Sequence, residues 1–148
     1  MSRQNSKTVL ITGASTGFGR DTAIELARKG HTVYASMRGI AGRNADNAKH
    51  LTNLAAAERI SIKVVEIDVT DEAQINSAVQ SIVNETGRID VLINNAGFAG
   101  LGIAEAFTTD QARSMFETNY FGPVALTRAV LPAMRAQRSG RLIHITSG

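Results

Sequence analysis

Three glycines mark the first stretch of this sequence whose residue types and spacing could do chemistry. Gly13, Gly17 and Gly19 lie in the run Thr-Gly-Ala-Ser-Thr-Gly-Phe-Gly at residues 12–19, directly after an apolar run at residues 7–11. Glycine lets the backbone turn tightly and approach a pyrophosphate, whose charge the first amides of a following helix can bind. The pattern therefore predicts a dinucleotide phosphate-binding turn, with a plain tight loop as the alternative.

A pair of adjacent side-chain amides forms a second candidate site. Asn94 and Asn95 end another apolar run and are followed by Ala96 and Gly97. Buried amides are costly unless their polar atoms are hydrogen-bonded, and the small residues after them let a ligand approach the backbone. We therefore expect this quartet at the carboxyl end of a strand, beside a ligand cleft. An asparagine-rich turn is the alternative.

Arg38 carries a charge suited to one particular cofactor. It lies two residues past the predicted strand at 32–36, where a dinucleotide-binding fold places the adenosine ribose. An acidic residue at this strand end would bind the free ribose hydroxyls of NAD, but Ser36 and Met37 stand there instead. A guanidinium suits a 2′-phosphate, so the sequence favours NADP over NAD. A solvated surface arginine is the alternative.

Asn119 lies inside a predicted long helix, four residues before Pro123. Proline has no N–H to donate to the carbonyl four residues back, and its ring clashes with that carbonyl. We therefore expect a kink that frees the backbone oxygen of Asn119. A polar residue on an exposed helix face is the alternative.

The elements that must position these residues alternate between strand and helix along the whole chain. This order predicts an α/β domain of the Rossmann type at residues 1–148, a doubly wound parallel sheet with strand order 3-2-1-4-5. Thr70 is expected to cap the third helix. The predicted strands are 7–11, 32–36, 60–67, 89–94 and 141–146, and the predicted helices are 17–29, 46–58, 71–86 and a long one from 109.

Composition excludes several classes of function. The net charge is +3 with scattered Lys and Arg residues, so nucleic-acid binding is not expected. The absence of cysteine excludes disulfides and thiolate metal sites, and His31 and His50 have no partner at metal-ligand spacing, so no metal is expected. We expect His144 to be a packed or hydrogen-bonded core residue. No apolar run is long enough for a membrane span or a signal-peptide core, which predicts a cytoplasmic protein.

The series of motifs resembles the short-chain dehydrogenase/reductase family, in its branch of short single-domain oxidoreductases. The matching segments are Thr-Gly-x-x-x-Gly-x-Gly, Asn-Asn-Ala-Gly and the run Asn-Tyr-Phe-Gly at 119–122. This resemblance implies hydride transfer between NADP(H) and a small alcohol or carbonyl substrate. It also implies that the pyrophosphate side of the cofactor is held by Gly13, Ser15, Thr16, Gly17 and Gly19.

Further roles come from the same resemblance. It implies that Asp68 and Val69 contact the adenine, although an aspartate ahead of a helix start could instead be a cap. Asn95, with Ala96 and Gly97, would line the nicotinamide side of the cleft. Asn119 would hold a water molecule in a proton relay, and Ser147 would orient the substrate for hydride transfer.

One pair of family residues has no match in this sequence. The family places a tyrosine, followed four residues later by a lysine, on the helix after the fifth strand. Here Tyr34 is followed by Arg38 and Tyr120 by Val124. We therefore expect a fragment that lacks the family's last helices and strands and is inactive by itself. A noncatalytic NADP(H)-binding module is the alternative, and a homo-oligomer stays open for the full-length form.

Overall fold

The computed structural model describes residues 6–146, in which strands and helices alternate. Ser147, to which the resemblance gives a catalytic role, lies outside the described residues. The strands are β1 (Thr8–Ile11), β2 (Thr32–Met37), β3 (Ile62–Glu66), β4 (Val91–Asn94) and β5 (Arg141–His144). The helices are α1 (Gly17–Arg28), α2 (Ala45–Glu58), α3 (Glu72–Thr86), α4 (Thr109–Phe116) and α5 (Gly122–Gln137), with a 3₁₀ turn at Ala104–Ala106 and a π-helical turn at Glu117–Phe121.

The five strands form one parallel sheet in the order β3-β2-β1-β4-β5, which confirms the predicted Rossmann-type topology. Leu10 of β1 lies between Tyr34 of β2 and Leu92 of β4. All four residues of β1 are buried, because helices cover both faces of a parallel sheet. The central position of β1 explains its continuous apolar run.

Side chains that alternate along the strands form two separate apolar layers. Val9 and Ile11 pack with α1 and α2 on one face, where Leu51 is fully buried. Leu10 points to the opposite face and packs with α3 and α5, where Leu126 is fully buried. These two layers hold the carboxyl ends of the central strands in a common plane.

The start of α3 differs from the prediction. Thr70 does not cap the helix; the cap is Asp71, whose side chain accepts hydrogen bonds from the backbone N–H groups of Ala73 at 2.9 Å and Gln74 at 3.1 Å. Asp71 immediately precedes the helix, so its carboxylate reaches the second and third helical amides. Thr70 lies one residue too early and bonds to Asp68 instead.

The predicted long helix contains a local irregularity ahead of Pro123. It begins at Thr109, where Thr108 and Gln111 form a capping box, and its first α-helical part ends at Phe116. In the π-helical turn that follows, the backbone N–H of Gly122 donates to the carbonyl of Glu117, and α5 then begins. Pro123 cannot donate the next α-helical bond, and the wider turn accommodates that loss.

Asp90 links the start of β4 to the start of β1. Its carboxylate is almost fully buried, accepts a 2.8 Å hydrogen bond from the Thr8 backbone N–H and pairs with Arg88. Burial alone would raise the pKa of this carboxyl group. The hydrogen bonds from Arg88 and Thr8 and the positive charge of Arg88 outweigh burial and hold its pKa below the ordinary value.

Replacing Asp90 with asparagine should therefore lower the free energy of unfolding by about 2 kcal/mol at pH 7. The wild-type carboxylate contributes this stability above its unfolded pKa of about 4 and loses it as pH falls through its lower folded pKa, so the difference should shrink below about pH 4. Urea unfolding at pH 7 and at acidic pH measures it. Asp110→Asn, which removes an exposed pair with Arg113 and one exposed charge in the first turn of α4, is the control and should have a much smaller effect. A difference that is independent of pH would contradict the assignment.

Candidate functional site

A crevice opens where the order of the strands reverses. From β1 the chain connects to β2 on one side and later to β4 on the other, so the loops after β1 and β4 diverge at the carboxyl edge of the sheet. A cavity of about 490 Å³ lies there and is called the main cleft below. It is lined by Gly13, Ser15, Thr16, Phe18, Gly19, Met37, Arg38, Arg43, Asn44, Ile67, Asp68, Val69, Asn95, Ala96, Gly97, Phe98 and Thr118.

The glycine-rich turn forms one wall of the main cleft with no room for side chains at two positions. Gly13 has a φ of +66°, and a Cβ on it would lie 2.8 Å from the Cα of Ala96. A Cβ on Gly19 would lie 2.3 Å from the carbonyl oxygen of Gly13. The backbones of this turn and of the segment after β4 are therefore in direct contact, which needs glycine.

The N-terminus of α1 faces the cleft, and no acidic side chain in its first turn neutralises it. Thr16 is the N-cap residue, yet its side chain makes no capping hydrogen bond, and the first turn of the helix contains no acidic residue. The free amides of such a turn carry partial positive charge. Together with the glycine turn, this end of α1 fits the pyrophosphate of a dinucleotide.

Asn95 joins the two strands that flank the crevice. Its side-chain Nδ2 donates to the carbonyl oxygens of Thr12 at 3.0 Å and Gly13 at 3.1 Å. The hydroxyl of Thr12 in turn accepts from the backbone N–H groups of Asn95 and Ala96. These four hydrogen bonds hold the glycine turn against the end of β4, so Asn95 shapes the cleft that it lines.

Asn94 points to the α5 face of the sheet. Its Nδ2 lies 3.4 Å from Nδ1 of His144 on β5, and its buried Oδ1 has no partner among residues 6–146. Among the described residues His144 is exposed and not part of the core, and its contact with Asn94 is present.

Asp68 forms a tight turn after β3, on the same side of the main cleft as Arg38. Its Oδ1 accepts hydrogen bonds from the backbone N–H of Thr70 at 2.9 Å and from the Thr70 hydroxyl at 2.7 Å. Burial would raise the pKa of Asp68, but these hydrogen bonds and the positive charges of Arg38 and Arg43 lower it overall. Asp68 is therefore an ionised acceptor at neutral pH.

Asn119 holds the loop after β4 through both ends of its amide. Oδ1 accepts from the backbone N–H of Phe98 at 3.0 Å, and Nδ2 donates to the carbonyl of Phe98 at 2.7 Å. Asn119 does not line the main cleft but a second cavity of about 860 Å³, called the side cavity below, between the loop after β4, α5 and β5. The two cavities share Phe18 and residues 95–98.

Comparison with known proteins identifies the family. The family model described as short chain dehydrogenase matches residues 7–148. This chain belongs to the short-chain dehydrogenase family.

Several known proteins are similar to this chain in sequence or structure. The chain is 40% identical over 139 residues to a 3-ketodihydrosphingosine reductase of Bacteroides thetaiotaomicron, covering 94% of this chain and 46% of that protein. A short-chain dehydrogenase from Streptomyces avermitilis superposes with a TM-score of 0.86 at 37% identity, over 99% of this chain and 51% of the other. A gluconate 5-dehydrogenase from Burkholderia cenocepacia, solved with NADP and tartrate, superposes with a TM-score of 0.84 at 28% identity, over 95% and 53% of the two chains. The chain thus spans about half the length of the relatives it matches.

The main cleft brings together the cofactor-binding residues that the sequence predicted for a short-chain dehydrogenase, with one exception. Gly17 does not line the cleft; it has a φ of +58° and faces open space. Of the predicted catalytic residues, Asn119 lies in the side cavity and Ser147 is outside the described residues.

Residues 6–146 contain no cluster of three or more His, Asp or Glu side chains that could hold a metal ion. None of the helices in this part of the chain is long and apolar enough to cross a membrane.

Sequence reasoning missed several residues of the cleft, of which Arg43 and Asn44 are the most polar. They lie at the end of the loop between β2 and α2, and the preceding Gly39 and Gly42 were the available signal that this loop turns back. Phe18 and Phe98, both exposed, were also missed as residues shared by the two cavities. Exposed aromatic side chains at a cavity boundary are visible only in three dimensions.

The two tyrosines of the described chain lie in different environments. Tyr34 is buried on the α3 face, and its hydroxyl donates to Glu85 at 2.8 Å. Burial and the Glu85 carboxylate raise its pKa well above the ordinary value, so it cannot serve as an acid or base near neutral pH. Tyr120 is exposed and lines the side cavity.

Proposed function

We propose that this chain forms the cofactor-binding part of an oxidoreductase that transfers a hydride between NADP(H) and an alcohol or carbonyl substrate. One observation carries the proposal. A continuous cleft at the switch point of the sheet runs from the unneutralised start of α1 past Arg38 and Asp68 to Asn95. The start of α1 matches the pyrophosphate of a dinucleotide, the part at Arg38 and Asp68 matches its adenosine, and the part at Asn95 matches its nicotinamide.

The residues of the cleft have distinct proposed roles. Gly13, Ser15, Thr16 and Gly19 hold the pyrophosphate in the main cleft, and Gly17, which does not line the cleft, makes the turn from which α1 begins. Asp68 and Val69 bind the adenine, and Asn95 with Ala96 and Gly97 borders the nicotinamide ribose. When bound, the cofactor supplies or accepts the hydride, and the residues named here orient it and exclude water.

We propose that Arg38 makes NADP the preferred cofactor. It is exposed at the main cleft, and no acidic residue stands at the end of β2 to receive the ribose hydroxyls of NAD. The related gluconate 5-dehydrogenase was solved with NADP, which supports the same choice. A guanidinium and a phosphomonoester form a strong charge-assisted pair.

The native protein should therefore bind NADPH more tightly than NADH. Arg38→Gln should lower the affinity for NADPH about tenfold and leave the affinity for NADH unchanged. Fluorescence titration of the reduced cofactors measures both dissociation constants. Lys49→Gln removes an equal charge from an exposed position on α2 outside the cleft and is the control. Equal affinities for the two cofactors in the native protein would overturn the NADP assignment.

Asn119 and Ser147 are the proposed catalytic residues of this chain. Asn119 borders the side cavity, which adjoins the nicotinamide end of the main cleft, and its side chain keeps the Phe98 backbone in place. We propose that it holds a water molecule of the proton relay and that Ser147 orients the substrate oxygen.

Replacing Asn119 with leucine in the native protein should lower kcat by about 100-fold and change cofactor affinity much less. The relay acts on the proton, whereas the cofactor is held by the main cleft. Steady-state kinetics and cofactor titration give the two quantities separately. Asn53→Leu on the exposed face of α2 is the matched control. If turnover and cofactor affinity fall by the same factor, the residue only supports the loop.

A noncatalytic NADP(H)-binding module is the second candidate. It would bind NADP(H) in the same main cleft and would need no residue beyond those that line it. It predicts stoichiometric NADPH binding without turnover of any alcohol or carbonyl compound.

A cytoplasmic location and a homo-oligomeric full-length form are further proposals.

A further inference from the structure

We propose that Arg43 is a second 2′-phosphate-binding residue, which acts with Arg38 as a paired clamp and determines cofactor specificity. The proposal rests on the proposed NADP(H) function and assigns part of it to a residue outside the recognised motifs. Both arginines are exposed and both line the main cleft.

Neither guanidinium forms a direct ion pair with the described chain, although the Asp68 carboxylate is near enough for both to lower its pKa. Within residues 6–146, the arginines that form ion pairs are Arg20, Arg28, Arg88 and Arg113, and each pairs with a carboxylate outside the cleft. Arg38 and Arg43 form no such pair there. Two like charges at one end of a cleft repel each other, and the single negative charge of Asp68 does not balance both of them. The arrangement therefore suits a dianionic ligand group.

The loop between β2 and α2 holds the two arginines in a compact turn. The backbone N–H groups of Gly42 and Asn44 both donate to the carbonyl of Gly39 at 3.0 Å. The Asn44 side chain donates to the carbonyl of Arg38 at 2.7 Å, and the backbone N–H of Gly39 donates to Glu66 at 3.0 Å. These bonds close the loop, so residues five apart in sequence face the same cavity.

Gly39 lets the side chain of Arg43 cross this turn. Its φ is +61°, and a Cβ on it would lie 2.9 Å from Cγ of Arg43. The aliphatic part of the Arg43 side chain therefore packs directly against Gly39, the residue that follows Arg38. Both guanidiniums also lower the pKa of Asp68, which lines the adenosine end of the same cleft. A phosphate on the 2′-oxygen of the adenosine ribose is the dianion that this position would meet.

Adenosine 2′,5′-bisphosphate tests the inference without any redox reaction. Adenosine 3′,5′-bisphosphate carries the same phosphate groups at a different ribose oxygen, and adenosine 5′-monophosphate lacks the second phosphate. Calorimetric titration of the native protein at fixed ionic strength should show that the 2′,5′-bisphosphate binds most tightly, the 3′,5′-bisphosphate less tightly and the 5′-monophosphate most weakly. Arg43→Gln should weaken binding of the 2′,5′-bisphosphate about tenfold and that of the monophosphate less than twofold.

Three further variants separate the clamp from general charge and from folding. Lys49→Gln, which removes the same charge outside the cleft, should leave all three affinities unchanged. Gly39→Ala keeps the charge but displaces the stem of Arg43, so it should reproduce the selective loss; thermal unfolding verifies that each variant is folded. Arg43→Lys retains the charge without the planar fork and should bind with intermediate affinity.

The outcomes distinguish this inference from the function on which it rests. If Arg38→Gln weakens binding of the 2′,5′-bisphosphate and folded Arg43→Gln does not, the paired clamp is overturned and NADP preference stands. If Arg43→Gln weakens binding of both bisphosphates equally, Arg43 supplies only general attraction and the clamp is again overturned. If the native protein does not distinguish the 2′,5′-bisphosphate from the monophosphate, the proposed NADP preference itself fails.

Discussion

Replacing Gly19 with alanine should weaken cofactor binding about 100-fold or more and destabilise the fold by about 3 kcal/mol. The added Cβ would lie 2.3 Å from the carbonyl oxygen of Gly13 and 2.5 Å from Nδ2 of Asn95. Neither neighbour can move freely, since Asn95 donates to the carbonyls of Thr12 and Gly13 and the Gly13 backbone contacts Ala96. The first turn of α1 must therefore shift away from β4, which separates the groups that would hold the pyrophosphate.

Urea unfolding gives the loss of stability, and NADPH titration should show a loss of affinity of about 100-fold or more, equivalent to about 2.7 kcal/mol. Gly102→Ala is the matched control. A Cβ there would lie 3.4 Å from the ring of Phe107, an ordinary contact, so both quantities should stay near their native values. Native NADPH affinity in folded Gly19→Ala would show that the glycine turn does not form the proposed phosphate site.

Replacing Asn95 with aspartate should destabilise the protein by about 3 kcal/mol at pH 7. The native Nδ2 donates two hydrogen bonds to the carbonyl oxygens of Thr12 and Gly13. A carboxylate of the same shape would place negative charge against those oxygens and leave both without a donor. We also expect weaker cofactor binding, because the glycine turn loses its attachment to the segment after β4.

The pH dependence of this variant follows from the same contacts. Only the protonated carboxyl can donate to a carbonyl, so its pKa in the folded state is raised above the ordinary value of about 4. The deficit relative to the native protein should be smallest below about pH 4 and should grow as pH rises through the folded pKa. Asn84→Asp adds an equal charge on the exposed side of α3 and is the control. A deficit at neutral pH that does not decrease in acid would contradict the hydrogen-bond assignment.

The architecture was largely predictable because its signals are local. The buried run before Gly13 identifies β1 as a central strand, and the alternation of strands and helices implies parallel pairing with right-handed crossovers. The carboxyl ends of such strands meet at one edge, so motifs after β1, β2, β3 and β4 converge there. This is why most predicted cofactor residues line one cleft, although Gly13 and Gly97 are 84 positions apart in the sequence.

The errors occurred where one residue of register or one backbone bond decided the outcome. Thr70 and Asp71 are both good capping residues, and only the position of the first helical turn selects Asp71. Pro123 predicted an interruption of the long helix, and only the structure shows that it takes the form of a π-helical turn between α4 and α5. His144 is exposed among the described residues, although its place within a strand predicted a packed side chain.

The sequence by itself determined the fold class, the strand order and the edge of the sheet that carries the cleft. These properties depend on apolar periodicity and on glycines whose backbone requirements are intrinsic to the residue. Tertiary structure alone decided that Asn95 bonds to the glycine turn, that Asn119 holds Phe98, and that Arg43 faces the same cavity as Arg38. Each of these contacts depends on the relative placement of separate elements to within about an ångström, and that placement results from the packing of both apolar layers rather than from any local pattern.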